Sequence, residues 1–246
     1  GPVLTGRRHD RAPTEVGFRG MLLACLAVGI VFLVVLLAYV LIEGWPRLDA
    51  DLFRNQASQL HPATAGAQAA ILGTLWLMAG TAIIALPIGV LAAVYLEEYA
   101  DPERWYNHLI ELTIQNLAAV PSVVYGILGL GLIVRGPLSL GPVLLAGAII
   151  LALLILPVII ISSREAIRAV PDSLRDGSLA LGATRWQTIW RVILPSILPS
   201  LLTGFALAFA RGVGEYGSVI FIAGNIPFVS EIAPLLIVIR LEEFNY

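Results

Sequence analysis

Lysine is missing from this chain: all 15 of its basic residues are arginine. A Walker-type phosphate loop needs a lysine to reach the phosphates, so ATP hydrolysis by that route is excluded. Lysine Schiff-base chemistry is excluded with it. There is one cysteine, Cys25, inside an apolar run where packing is its ordinary role, so an internal disulfide and a cysteine zinc site are both ruled out. The three histidines, His9, His61 and His108, stand far apart and show no metal-ligand spacing. No cofactor or metal of its own is expected for the chain. Charge is also scarce. Only 13% of the 246 residues are charged and the net charge is −2, which gives no electrostatic footprint for nucleic acid.

What remains is apolar. Hydrophobic residues make up 58% of the chain and the mean hydropathy is +0.88, far above a soluble domain. The expected fold class is all-α: a polytopic transmembrane helical bundle with five visible spans. The chain opens on Gly1-Pro2 without Met. No small-residue cleavage site follows the first apolar run, which therefore reads as a retained anchor and not a signal peptide.

Residues 1–19 are polar, with Arg7, Arg8, Arg11 and Arg19, and read as a cytoplasmic tail. Residues 20–65 hold the first span, Met21–Ile42, and an external polar segment. Residues 66–246 form the main transmembrane domain. Its spans are predicted at Ile71–Tyr95, at Leu117–Val134 (short, broken by Pro121 and three glycines), at Pro142–Ser162 and at Pro199–Gly224. Between them, Glu97–Asn116 is acidic, and Glu97 and Glu98 read as solvated charge at a span end. The interruption Ser163–Pro195 carries Arg164, Arg168, Arg175, Arg185 and Arg191, which places it in the cytoplasm with the N-terminus. The four spans between the two agree with that.

Two charged residues fall inside the fifth predicted span. Arg211 stands near its middle, and Glu215 follows four residues later. A charge at such depth costs roughly 2.5–3.5 kcal/mol on insertion scales and faces a partner or a wet cavity. On a continuous helix the spacing lets the side chains meet, and the guanidinium can offer donors to an oxyanion. The pair is the candidate translocation site; an ion pair that only holds helices together is the alternative. Two stripes of small residues accompany it: Gly204, Ala208 and Gly212, and Ala206, Ala210 and Gly214. Either suits close helix packing, within the chain or against another subunit.

The cytoplasmic segment 163–195 has two parts. Asp176–Ala183 is rich in small residues that let another protein approach the backbone, and Pro171, Asp172 and Ser173 precede it as a helix start. Then Trp186, Ile189, Trp190, Ile193 and Leu194 repeat at helical spacing, predicting an interfacial helix with Trp at the membrane surface. An ordinary loop followed by such a helix is the plainer alternative.

These residues carry a family resemblance. The segment resembles the cytoplasmic motif of ABC importer permeases: EAA, three residues, Gly, nine residues, then I-x-LP. Asp176, Gly177 and Ser178 take the place of the triplet, keeping acid-small-small chemistry. Gly182 matches, and Leu194-Pro195 match the end. Over about residues 66–204, ILGTLWLMAGTAIIALPIGVLAAVYLEEYA, QNLAAVPSVVYGILGLGLIVRG and REAIRAVPDSLRDGSLALGATRWQTIWRVILP resemble phosphate permease subunits of the PstA type. The last part, from ARGVGEYGSVIFIAG onward, is similar to sulfate permeases of the CysT type, with Glu215-Tyr216-Gly217-Ser218 where the phosphate family would have Glu-Thr-Ala-Pro. The chain therefore reads as a mosaic.

The resemblance implies a type I ABC importer permease fold, in which a sixth span would follow the five visible ones. It implies phosphate import, with sulfate or thiosulfate as the alternative, in a bacterial or archaeal inner membrane. It also implies partners: a second, different permease subunit, two ATPase subunits that use ATP and magnesium, and an external phosphate-binding protein. Asp176, Gly177, Ser178, Leu181, Gly182 and Ala183 would form the coupling helix that docks on the ATPase, followed by Trp186 and Trp190 at the interface. Arg211 and Glu215 match the family's intramembrane Arg and Glu. Three other classes fit the sequence less well. A secondary transporter or channel lacks support from an inverted repeat. A membrane enzyme lacks a converging catalytic set. A scaffold would tolerate loss of Arg211 and Glu215.

Overall fold

In hydrocarbon every backbone N–H and C=O must be satisfied within the segment, which leaves the helix as the natural form for apolar runs of this length. The computed structural model describes residues 13–58, 64–101, 103–222 and 230–242, and among these it contains helices and turns and no strand. Arg7, Arg8 and Arg11 of the predicted tail, together with His9 and His61, lie outside the described residues. The chain divides into two compact units, Gly1–Phe53 and Arg54–Tyr246.

The first unit is built on α1, Pro13–Gly44, which is apolar around its whole circumference and contains the predicted first span. A single 3-10 turn, Trp45–Arg47, ends it, and a short α2, Ala50–Arg54, follows, capped where Asp49 accepts the Leu52 N–H at 3.0 Å.

The second unit is a bundle around α3, Gln68–Val94, and α6, Leu144–Arg168. Small residues set how closely they pack. A Cβ on Gly89 would stand 2.6 Å from Ile159 Cγ2, and one on Gly80 3.1 Å from the Ala148 Cβ. Thr81, fully buried, donates back to the Leu77 carbonyl at 2.8 Å, so its hydroxyl is satisfied inside its own helix. Leu77, Met78, Ala85, Leu151, Ile155 and Ile159 fill the seam. Pro87 and Pro157 sit inside these helices without breaking them, as neighbouring helices in a membrane bundle allow.

Against this pair lies α9, Leu194–Val213. Its buried stripe is Gly204, Ala208 and Gly212: a Cβ on Gly204 would meet Ser162 Oγ at 2.6 Å, and one on Gly212 the Met78 methyl at 3.0 Å. The first small-residue stripe thus packs within the chain, while Ala206, Ala210 and Gly214 are exposed. A last helix, α10, spans Ala233–Glu242.

Three predicted boundaries are corrected. The acidic stretch after α3, left outside the predicted spans, contains α4, Trp105–Ala118. That helix turns by 102° into α5, Ser122–Gly129, which continues through a π turn, Leu130–Val134. Pro121 causes the corner, because it forces its predecessor out of the helical region and is itself extended, with ψ 137°. The predicted third span is therefore the second arm of a bent pair. Next, α6 runs on past Ser162 through Arg164 to Arg168; those arginines are paired and do not end the helix. Finally, the fifth span stops at Val213, where Gly212 and Gly214 lower helix propensity.

Gly126 lies where α5 meets the turns after α9. A Cβ there would stand 2.7 Å from the Ser218 carbonyl oxygen, a backbone atom that cannot swing away. Gly126→Ala should lower stability by about 1–3 kcal/mol, while Gly131→Ala, in open space, should be neutral or stabilising by up to about 1 kcal/mol. Thermal unfolding of both variants in detergent checks this, and equal melting points would refute the packing.

Candidate functional site

The small-residue motif folds as α7, Asp172–Ala180, starting at the Asp172 expected from sequence. None of its residues is buried. Gly182 ends it with φ +85°. Its N–H donates to the Leu179 carbonyl at 2.9 Å and that of Ala183 to the Ser178 carbonyl at 3.2 Å, the pairing that stops a helix at a left-handed residue. The motif glycine is therefore needed for its backbone, and it leaves Leu181 projecting, 91% exposed, at the tip. Asp176 and Gly177 are exposed beside it. Ser178 turns inward instead, its Oγ 3.0 Å from Thr188 Oγ1. Such a protrusion, with an apolar tip and small neighbours, can enter a groove on another protein.

Thr184 and Gln187 then form a reciprocal cap, Thr184 N–H to Gln187 Oε1 at 2.9 Å and Gln187 N–H to Thr184 Oγ1 at 3.3 Å. They open α8, Arg185–Thr188. The expected separate interfacial helix does not follow. Through a π turn, Ile189–Ile193, α8 runs into α9 as one helix of 29 residues, Arg185–Val213. The wider turn carries the chain to Pro195, which has no N–H to give. Nor do the five apolar residues share one outer face. Ile189 and Ile193 are buried against Ala93, Ile167 and Val170, whereas Trp186 and Trp190 are exposed and stack edge to face at 5.4 Å.

The predicted Arg211–Glu215 contact is absent. Arg211 lies in the last turn of α9, and Glu215 follows Gly214, past the helix end, so the i, i+4 relation that would align them on a helix face does not exist. Arg211 is exposed, in no ion pair among the described residues, and placed where a cation complements the helix dipole. Glu215 turns toward the following turns, where Oε1 accepts the Ser218 N–H at 3.4 Å.

The strongest electrostatic feature is one the sequence did not reveal. Past Val94, α3 ends in a π turn, Tyr95–Tyr99, which carries Glu97 and Glu98. Glu97 is not solvated charge: its side chain is 13% exposed and accepts Arg164 Nε at 2.6 Å and Arg168 Nε at 2.9 Å. Arg164, 10% exposed, also reaches Glu111 of α4 at 2.9 Å. Glu98 accepts Arg175 Nε at 3.1 Å. Three of the five arginines in the segment 163–195 are thus paired with acids that lie far away in sequence. Adjacent positions on the turn point in different directions, so Glu97 meets α6 while Glu98 meets α7. The helical spacing of Arg164 and Arg168 was the one available signal.

Glu97→Gln removes the charge shared by two arginines and should cost about 2 kcal/mol, against within about 0.5 kcal/mol for exposed Glu103→Gln. Comparing the two melting midpoints in detergent checks this; a Glu97→Gln midpoint no lower than that of Glu103→Gln would show the cluster to be a surface ornament.

Comparison with known proteins places these features. Residues 85–236 match the family model described as "Binding-protein-dependent transport system inner membrane component". The probable ABC transporter permease protein YqgI of Bacillus subtilis is 34% identical over 225 residues, covering 87% of this chain and 72% of that protein. The phosphate transport system permease protein PstA 1 of Mycobacterium tuberculosis is 34% identical over 159 residues, 65% of this chain. The sulfate transport system permease protein CysT of Synechocystis is 44% identical over 90 residues, 37% of this chain. The chain spans 51% of the PstA 1 length and 32% of the CysT length. With a family model covering more than half its residues, on a helical bundle with several membrane-crossing helices, this multi-pass membrane protein belongs to the family of binding-protein-dependent transport system inner membrane components.

Proposed function

We propose that the chain is the transmembrane permease subunit of an ATP-driven ABC importer for inorganic phosphate, forming the translocation path and leaving ATP hydrolysis to a separate chain. The observation that carries the substrate is the likeness to a phosphate permease over 65% of the chain. Sulfate is the second reading, favoured by the higher identity, 44%, over the shorter stretch shared with a sulfate permease.

In this reading α7 docks on an ATPase, with Leu181 as its apolar tip and Asp176, Gly177 and Ala183 around it. The assembly holds a second permease subunit, two ATPase subunits that bind ATP and magnesium, and an external phosphate-binding protein. It lies in a bacterial or archaeal inner membrane with the N-terminus in the cytoplasm, and Trp186 and Trp190 anchor the foot of α8 at the lipid surface. No cofactor belongs to this chain.

Arg211 supplies positive potential along the path. Its exposure on a single chain fits a residue that faces a wet cavity or a second subunit, because an unpaired guanidinium in hydrocarbon is costly. Contacts along such a path must be transient, since tight binding would block release. Glu215, beyond the helix end, limits anion trapping by its own negative charge and not by clamping the guanidinium.

The test is uptake of labelled phosphate and labelled sulfate by cells lacking their own importers, expressing the chain with its partner subunits, with and without ATP depletion. ATP-dependent phosphate uptake is expected. Sulfate uptake alone would move the assignment to the second reading, and uptake indifferent to ATP would make the chain a secondary transporter. Arg211→Gln should reduce uptake about tenfold or more, a loss of ~1.4 kcal/mol in barrier stabilisation, with co-purification of the partners unchanged. Loss of assembly instead would assign Arg211 a structural role.

A further inference from the structure

We propose that Arg175 is the joint through which movement of α7 reaches the membrane spans: a positioning residue for coupling, in contact with neither solute nor nucleotide. The inference rests on the reading of α7 as the helix that docks the ATPase.

A helix that transmits force must be tied to what it moves. Because α7 buries none of its residues, it has no apolar core contact that fixes it to α3 or α6. Directional polar contacts fix it instead, and most of them converge on one side chain. Arg175 donates from Nε to Glu98 Oε1 at 3.1 Å, from Nη1 to the Val170 carbonyl at 2.8 Å and from Nη2 to the Ile167 carbonyl at 2.8 Å. Ile167 belongs to α6, and Glu98 to the π turn that ends α3. The planar guanidinium therefore holds α7 against the cytoplasmic ends of the two helices that form the core seam. Its side chain is 20% exposed and that of Glu98 17%, so this contact is less screened than a surface pair. The further contact to Asp172 Oδ1 at 2.9 Å stays within α7, and Asp172 is 90% exposed.

Near its other end α7 is tied to a different element. Ser178 Oγ lies 3.0 Å from Thr188 Oγ1, and Thr188 is buried at the foot of the α8–α9 helix. This is a single neutral hydrogen bond, weaker than the charged fork. A displacement of α7 taken up by Arg175 is thus delivered to α3 and α6. Lysine cannot substitute: a point charge can meet Glu98, but it lacks the fixed fork that also holds two carbonyls.

The experiment measures labelled phosphate and sulfate taken up per ATP hydrolysed, in proteoliposomes carrying the whole transporter, for the parent, Arg175→Lys and Glu98→Gln. For Arg175→Lys the ATPase should still co-purify, hydrolysis should stay within about twofold, and uptake per ATP should fall about tenfold. Glu98→Gln, which spares the carbonyl contacts, should move the ratio in the same direction by less. A side chain that merely stabilised the fold would lower uptake and hydrolysis together, and an unchanged ratio overturns the proposal while leaving the importer reading intact. If Arg175→Lys fails to assemble, the ratio in Glu98→Gln decides. A parent with no ATP-dependent uptake overturns the importer reading and the joint with it.

Discussion

The close approach of α3 and α6 is the constraint on which the second unit depends. Lipid is as apolar as leucine, so these helices gain little by hiding side chains from their surroundings; they gain by fitting. Gly80 and Gly89 on one helix, with Ala148 and Ile159 facing them, bring the two backbones together along most of their length. That seam supplies the surface on which α9 lays its own glycine-alanine stripe, and α6 also forms one wall for α5, where Gly129 accommodates Ile150. Where α3 ends and α6 runs on past Ser162, the adhesive changes from shape to charge: Glu97, Arg164, Arg168 and Glu111 take over where the small residues stop.

Much of this organisation was legible in the sequence, because hydropathy reports helices that must cross hydrocarbon. The first, second and fourth predicted spans each correspond to a helix, and Pro171 with its neighbours marks the helix start at Asp172. Where hydropathy misled, a second force was at work. Pro121 converts one apolar stretch into the arm of a bent pair that begins at Trp105, in a region whose acids kept it outside the predicted spans. At the other end of the domain, Gly212, Gly214 and Gly217 let an apolar run leave the helix that its length alone would have extended through Glu215. Composition records how greasy a segment is; where it turns depends on backbone freedom at one or two positions.

The candidate site shows the same division. The projecting motif is legible from its small residues, and the left-handed backbone of Gly182 is what the structure adds to it. The pairing of Glu97 and Glu98 with arginines roughly seventy positions away could not be located, since it depends on which helices become neighbours. An acid beside another acid at the end of a span looks solvated until the tertiary structure assigns each its own arginine.

The continuity of α8 with α9 has a mechanical meaning. At about 1.5 Å per residue, the helix Arg185–Val213 is roughly 43 Å long. Its foot carries the tryptophan pair and the hydroxyl contact to α7, and its far end carries Arg211. The rod is therefore a lever. A tilt of about 5° about the foot would carry Arg211 sideways by roughly 3 Å, comparable to the length of one hydrogen bond. A guanidinium at the tip of such an arm can change its surroundings without any change in its own rotamer.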